Sequence, residues 1–274
     1  QRLRERTGRP EKPFALMVSD MERVESFARF SPAEREALES TRRPIVLLER
    51  DCDDGWLDTV SPGLHTVGVM LPYSGLHHLL FDHVDGPLVM TSANMPGTPM
   101  ATDRESIRQE LSGVLDALLV HDREIVMRCD DSVVRFTGGG RRFIRRSRGW
   151  VPESLPRPKA DSEVLALGAE FDATIALTQG DDVFPSQYIG DVDNPETVGY
   201  LRETVEHLRS LVGTDPDVIA CDAHPDFLTT DQARRYADEE NLGDPLRIQH
   251  HHAHAASLLA EHDRDRAVVI VADG

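Results

Sequence analysis

The densest chemistry in the chain lies in Gln249–His262, QHHHAHAASLLAEH. His250 and His254 are four residues apart, a spacing that stacks them on one face of a helix. Two imidazoles so placed can grip one metal ion. The same letters also suit a polar helix start, in which histidines only occupy the first turn. Four histidines within five residues, followed by an apolar run that ends in the acid Asp273, favour the ion. His250, His254 and Asp273 would leave coordination positions open to a ligand oxygen. Imidazole plus carboxylate suits Fe2+ or Zn2+ alike. Asp222 and His224, at the end of another apolar run, fit either a metal or nucleotide contact or structural hydrogen bonding.

A second constellation lies in the first half. Thr91-Ser-Ala-Asn94 follows a strand pattern, with Gly97 and Pro99 shaping a turn. Ser92 and Asn94 would present a hydroxyl and an amide at a strand end, where ligands of α/β folds gather. An ordinary Asn/Gly/Pro loop reads the same way. Arg9 and Lys12 flank Pro10 in G-R-P-E-K-P, and Arg128, Arg135, Arg141, Arg142, Arg145, Arg146 and Arg148 crowd 128–148. In an acidic chain this clustering implies a local anion, since guanidinium forks bind phosphate bidentately. A solvated basic hairpin is the alternative. His77 and His78 fall in a helix pattern and read as packing or surface groups. No Ser-His-Asp set is legible.

The elements that must position these groups alternate. Helix patterns cover Arg2–Arg9, Met21–Phe30, Leu76–Asp82, Asp103–Leu111 and Pro32–Glu39, the last with Ser31 and Glu34 as a capping box. Strands are expected at Lys12–Val18, Pro44–Leu48, Val67–Leu71, Pro87–Met90 and Ala117–Val120, and a hairpin joins Val133–Phe136 to Arg142–Ile144 across Gly138–Gly140. Pro152, Pro156 and Pro158 then punctuate a linker near Pro152–Glu163. Beyond it, Val164–Gly168, Ala173–Thr178 and Val183–Phe184 read as a meander. A long helix follows over Asn194–Val212, striped by Leu201, Val205, Leu208 and Val212. Strand Val218–Asp222, helix Thr230–Glu240, strand Leu246–Ile248, the histidine helix and a buried strand Ala267–Asp273 complete the chain. The fold class is α/β, with domains at 1–155 and 163–274, and the second opens as an actin-like or sugar-kinase-like lobe does.

The 274 residues are ample for a sizeable core. A formal charge of −18 argues against non-specific nucleic-acid or anionic-membrane binding. No apolar run reaches membrane-spanning length, and no signal-peptide pattern opens the chain. Cys52, Cys129 and Cys221 form no C-x-x-C and leave an odd thiol, which fits a cytoplasmic setting. Gln1 is not an initiating Met, and the chain stops at Gly274 directly after a strand pattern, so a piece of a longer protein is expected.

Eight stretches carry a family resemblance. Arg4-Glu-Arg-Thr-Gly-Arg-Pro-Glu-Lys-Pro-Phe-Ala15, Thr91-Ser-Ala-Asn94, Cys129-Asp-Asp-Ser-Val-Val-Arg135 and Arg145-Arg-Ser-Arg-Gly-Trp-Val-Pro152 resemble the YrdC/Sua5-like domain, in the version found in the HypF carbamoyltransferases of [NiFe] hydrogenase maturation. Leu167-Gly-Ala-Glu170, Ser186-Gln-Tyr-Ile-Gly-Asp191, Asp222-Ala-His-Pro225 and Gln249–His254 are similar to the Kae1-like domain of that family, in the same order.

The resemblance implies a YrdC/Sua5-like twisted mixed sheet lacking its first strands, then a partial Kae1-like α/β domain. It implies that carbamate derived from carbamoyl phosphate is adenylated with ATP and Mg2+, and that the carbamoyl group passes to the C-terminal cysteine of a HypE-type maturation protein, with no membrane or nucleic acid involved. It puts Arg9, Lys12, Ser92 and Asn94 at the nucleotide and carbamate site and offers Ser132, Arg135, Arg146 and Ser147 as phosphate or adenylate contacts. His250, His254 and Asp273 would be metal ligands, with a further carboxylate beyond Gly274. One position departs: Thr7 stands where the family usually carries Lys, so a cationic contact is either lost or supplied by another group, such as Arg4 or Arg6. The same two folds serve tRNA threonylcarbamoylation, and a nucleotide-holding scaffold without turnover is the non-enzymatic alternative.

Overall fold

The computed structural model describes residues 1–51, 55–156 and 161–272. Cys52, Pro158, Lys159 and the expected ligand Asp273 lie outside them. The chain divides into two compact units, Gln1–Trp150 and Val151–Gly274.

In the first unit the order is α1 (Arg2–Thr7), β1 (Ala15–Met17), α2 (Met21–Glu25), β2 (Ala28–Arg29), α3 (Pro32–Glu39), β3 (Ile45–Arg50), α4 (Gly55–Val60), β4 (Thr66–Met70), α5 (Gly75–Phe81), β5 (Leu88–Met90), α6 (Arg104–Leu111), β6 (Val133–Thr137) and β7 (Gly140–Arg145). The strands form one mixed sheet in the order β5-β1-β4-β3-β6-β7, with β2 added against β3. Leu16, Val46, Leu48, Val67, Val69 and Val134 are buried in its core. Local signals formed as their chemistry requires. Ser31 and Glu34 close a capping box on α3. Gly138 and Gly139 both take positive φ (59° and 78°) in the two-residue turn between β6 and β7, the requirement of a type I′ hairpin.

Sheet register decides which loops meet. β5 runs antiparallel to β1, pairing Met90 with Ala15, so the loop after β5 and the loop before β1 share one end of the sheet. β1 and β4 are parallel, β3 is antiparallel to β4, and β6 is parallel to β3. That puts the start of β6 at the other end, level with Met17 at the end of β1. β7 returns antiparallel, pairing Arg145 with Val133, and brings 145–148 beside the start of β6.

The second unit holds β8 (Leu155–Pro156), β9 (Val164–Leu167), β10 (Ile175–Gln179), β11 (Asp182–Pro185), α7 (Pro195–Val212), β12 (Val218–Asp222), α8 (Leu228–Glu239), β13 (Leu246–Ile248) and α9 (His250–Glu261). Its sheet order is β13-β12-β9-β10-β11-β8. The β9-β10-β11 meander is antiparallel, while β12 and β13 are added in parallel. α7 is capped by Asn194 with Pro195 in its first turn and ends on Gly213 at φ 73°. Leu201, Val205 and Leu208 are its buried stripe.

Three expectations fail, each because a strand exists only where a neighbour pairs with it. Met21–Phe30 is not one helix: α2 stops at Glu25, and Ala28–Arg29 pairs with Arg50 and Glu49 of β3. Ala117–Val120 is not a strand. Asp116 is bound by Arg2 and Arg6, and Arg6 also donates to the Val114 carbonyl, which straps this segment to α1 as a loop. The described residues of Ala267–Asp273 form no strand either, and Val268 and Ile270 are fully exposed. No strand among the described residues pairs with them.

Tyr236 on α8 is buried, and no protein group among the described residues meets its hydroxyl. Burial pushes the phenol up to about 12, Arg202 over the ring opposing. The unfolded chain therefore releases this proton first, near pH 10, and stability falls as pH rises from about 10 to 12, by roughly 2–3 kcal/mol. Tyr236→Phe should change stability at neutral pH by under about 1 kcal/mol and flatten that alkaline loss. Urea unfolding at several pH values measures both.

Candidate functional site

The loop between α1 and β1 owes its shape to a buried arginine. Arg4 is 7% exposed. Its Nε donates to the Thr59 carbonyl at 2.8 Å and its Nη2 to that of Val60 at 2.7 Å. Its Nη1 donates to the carbonyls of Arg9 at 3.0 Å and Lys12 at 2.7 Å. The guanidinium also lies over the Phe14 ring, 4.5 Å from its centroid. Gly8, at φ 63°, ends α1 in the left-handed conformation that only glycine adopts cheaply. Arg4 thus folds the main chain of Arg9–Lys12 around its own charge. Thr7 is buried and donates to the Leu3 carbonyl. Neither Arg4 nor Arg6 is turned to the loop after β5: the first is spent on carbonyls, the second on Asp116 and Val114. Of the two expected outcomes at Thr7, supply of the cation by Arg4 or Arg6 is disfavoured by these bonds.

The side chains carried by this loop are held loosely. Arg9, half-buried, donates to Thr91 Oγ1 at 3.2 Å and to Asn94 O and Oδ1, each at 3.4 Å. These are long bonds for a guanidinium. Burial pulls the Arg9 pKa down, the nearby Asp130 charge opposing. Ser92 Oγ donates to Asn94 Oδ1 at 2.5 Å, and Asn94 Nδ2 donates to the Thr98 carbonyl at 2.7 Å. Arg9, Ser92 and Asn94 therefore form one cluster.

Asp130, in the loop before β6, lies within electrostatic reach of Arg9 and Lys12. Arg145 Nη1 lies 3.4 Å from its Oδ1. Burial pushes the Asp130 carboxyl up, while Arg145, Lys12 and Arg9 pull it down. Three cations thus face one partly desolvated carboxylate, a field that suits a polyanion. Asp130 was not singled out by sequence; its signal was two adjacent acids inside an arginine-rich run.

The remaining expected contacts divide. Ser132 and Ser147 are fully buried. Ser132 Oγ donates to the Arg148 carbonyl and accepts from the Ser147 amide, both at 2.8 Å, and Ser147 Oγ lies 3.5 Å from Cys129 Sγ. Their hydroxyls hold the turn between 132 and 147. Arg146 donates to the Trp150 carbonyl at 2.8 Å. Arg135 is exposed on β6. Arg148 is clamped: its Nε donates to Asp131 at 2.7 Å, its Nη atoms donate to the carbonyls of Arg42 and Arg43, and its charge lies 3.5 Å over the Tyr73 ring. His77 packs edge-on against Tyr73.

In the second unit, α9 begins at His250, with the Gln249 side chain accepting the His252 amide at 2.9 Å. His250 Nε2 and His254 Nε2 are 3.1 Å apart. Two nitrogens bound to one ion at about 2.0–2.1 Å lie roughly 3 Å apart, so the pair fits two donors of a metal site. Among the described residues no group of three His, Cys, Asp or Glu collects around an ion. His250 Nδ1 meets Asp222 Oδ2 at 2.8 Å. His224 stacks on Phe227, with centroids 4.1 Å apart, and does not join the pair.

Comparison with known proteins agrees with both halves. Residues 1–147 match the Sua5/YciO/YrdC family, described as telomere recombination, and residues 159–261 match the HypF Kae1-like domain. The sequence is 42% identical to the carbamoyltransferase HypF2 of Cupriavidus necator, over 100% of this chain and 36% of that protein. It is 43% identical to the probable carbamoyltransferase HypF of Methanocaldococcus jannaschii, over 99% and 36%. The fold is similar to the crystal structure of T. kodakarensis HypF, with TM-score 0.91 and 45% identity over 96% of this chain and 34% of that one. It is similar also to full-length HypF in its phosphate- and nucleotide-bound form, with TM-score 0.88 and 39% identity over 97% and 41%. The chain spans a little over a third of the length of these curated relatives. No helix among the described residues is long and apolar enough to cross a membrane.

The different duties of the two arginines are separable by stability. Arg4→Ala takes the guanidinium from the carbonyls of Arg9, Lys12 and Thr59, while Val60 keeps the Phe14 amide, and should cost about 3 kcal/mol or more. Arg9→Ala should cost within about 1 kcal/mol. Chemical denaturation of both variants checks this.

Proposed function

The chain belongs to the HypF family, and from that premise we propose that its first unit binds ATP and carbamate and joins them as carbamoyl-adenylate. Carbamate is a poor acyl donor because its oxyanion leaves badly. Attack of a carbamate oxygen on the α-phosphorus of ATP expels pyrophosphate and leaves AMP as a good leaving group. The charge that moves onto phosphate oxygens needs fixed cations placed beforehand. Arg9, Lys12 and Arg145 are the groups for this, with Ser92 and Asn94 offering a hydroxyl and an amide to the carbamate or the nucleotide. The observation that carries the reading is Arg9: a half-buried guanidinium that makes long bonds to neutral oxygens of Thr91 and Asn94, beside Asp130. The nucleotide- and phosphate-bound form of a full-length HypF supports a nucleotide in such a fold. Mg2+ would accompany the triphosphate.

In the second unit, His250 and His254 would hold an Fe2+ or Zn2+ ion, with Asp273 as a third ligand. Such an ion supplies Lewis acidity toward the acyl or phosphate oxygen when bound. The chain's own part is to aim both Nε2 atoms at one point. The acceptor of the carbamoyl group would be the C-terminal cysteine of a HypE-type partner, in keeping with a role in hydrogenase maturation.

Two measurements test the reading. Titration calorimetry of this chain with ATP should show binding that Arg9→Ala weakens by about 10- to 100-fold, the loss of one or two charge-assisted hydrogen bonds. The full-length product of the gene should form AMP in a carbamoyl-phosphate-dependent reaction that the same substitution depresses. AMP formation that depends on threonine and bicarbonate would contradict it. Absence of any heat with ATP would leave the first unit a scaffold only.

A further inference from the structure

Asp222 does more than end a strand. β12 and β13 are parallel, with Asp222 paired to Ile248, and the Ala223 amide donates to the Ile248 carbonyl at 2.9 Å. One residue, Gln249, separates Ile248 from His250. The ladder therefore sets the Asp222 carboxylate beside the first turn of α9. The Asp222 side chain is 8% exposed, against 37% for His250. Both its oxygens are engaged: Oδ1 accepts the His224 amide at 2.8 Å, and Oδ2 meets His250 Nδ1 at 2.8 Å. Thr230 Oγ1 donates to the carbonyls of Asp222 and His224 at 3.3 and 2.9 Å and so steadies the strand end.

We propose that Asp222 is a positioning residue that fixes His250 with its proton on Nδ1 and its Nε2 lone pair turned toward His254. An ionised carboxylate can only accept, so the nitrogen against it carries hydrogen. The lone pair of the neutral ring then sits on Nε2, the atom 3.1 Å from His254 Nε2. Without an ion, His254 Nε2–H donates across that gap. To coordinate, only His254 has to hand its proton to its own Nδ1; His250 is already in the ligating tautomer. This inference rests on the metal reading of the histidine pair only for its purpose; the tautomer is a property of the metal-free chain.

The experiment is long-range 1H–15N NMR of the histidine rings in the metal-free chain, with Zn2+ affinity measured by competition against a chelating dye. Wild type should show His250 as the Nδ1–H tautomer. Asp222→Ala should lose that bias and weaken Zn2+ binding about 10- to 100-fold, and Asp222→Asn, which keeps an acceptor oxygen, should restore part of both. His250 found protonated on Nε2 in wild type overturns the proposal without recourse to any variant. Unchanged Zn2+ affinity in a folded Asp222→Ala variant overturns it as well. A wild-type chain with the Nδ1–H tautomer and no Zn2+ binding supports the positioning and sinks the metal reading instead.

Discussion

A guanidinium taken out of water must be surrounded by acceptors, and the first unit is shaped by where those acceptors are. Arg4 finds no carboxylate contact among the described residues. Main-chain carbonyls from 9, 12, 59 and 60 turn inward to it, and the loop before β1 follows. Arg148 is met the same way by the carbonyls of Arg42 and Arg43, with Asp131 closing the set. Desolvating a charge is tolerated only when its donors are filled like this. Arginines so filled are scaffold. What they hold in place is a smaller group, Arg9, Lys12 and Arg145, gathered on Asp130. Asp130 offsets the mutual repulsion of these cations while the surrounding chain stays acidic.

The second unit applies the same rule to a weaker charge. Asp222 is buried at a strand end and has three tasks for its acceptor atoms: the His224 amide, the His250 ring and, through its carbonyl, the Thr230 hydroxyl. Parallel pairing of β12 with β13 makes this geometry cheap, because the strand that carries the acid and the strand that leads into α9 end at one level. A helix start rich in histidine would otherwise leave its rings free to rotate. Here one of them is oriented by the sheet.

Much of this was legible because it is local. Ser31 with Glu34, Asn194 with Pro195 and Gly213, and Gly138 with Gly139 each act within a few residues, and each formed what its chemistry demands. The four-residue spacing of His250 and His254 placed both on one helix face. Strand existence was less legible. Ala28–Arg29 became a strand by pairing with β3, while the apolar stretch 267–272 found no pairing partner among the described residues. Least legible was the duty of each arginine. Arg4 and Arg9 are five residues apart in one basic motif, yet one is sealed by carbonyls of Thr59 and Val60 and the other faces Thr91 and Asn94. Likewise Ser132 and Ser147 carry motif positions but spend their hydroxyls inside. Only tertiary contacts, from 15 residues away at Ser132 to 55 at Arg4, tell saturated from available.

The most direct measurement is a crystal structure of this chain soaked with ATP and Mg2+. The account predicts phosphate oxygens among Arg9, Lys12 and Arg145, with Arg4 and Arg148 still bonded to their carbonyls. Phosphates seated on Arg4 or Arg148, or on the exposed Arg135–Arg142 face of the hairpin with Arg9 uninvolved, would contradict it.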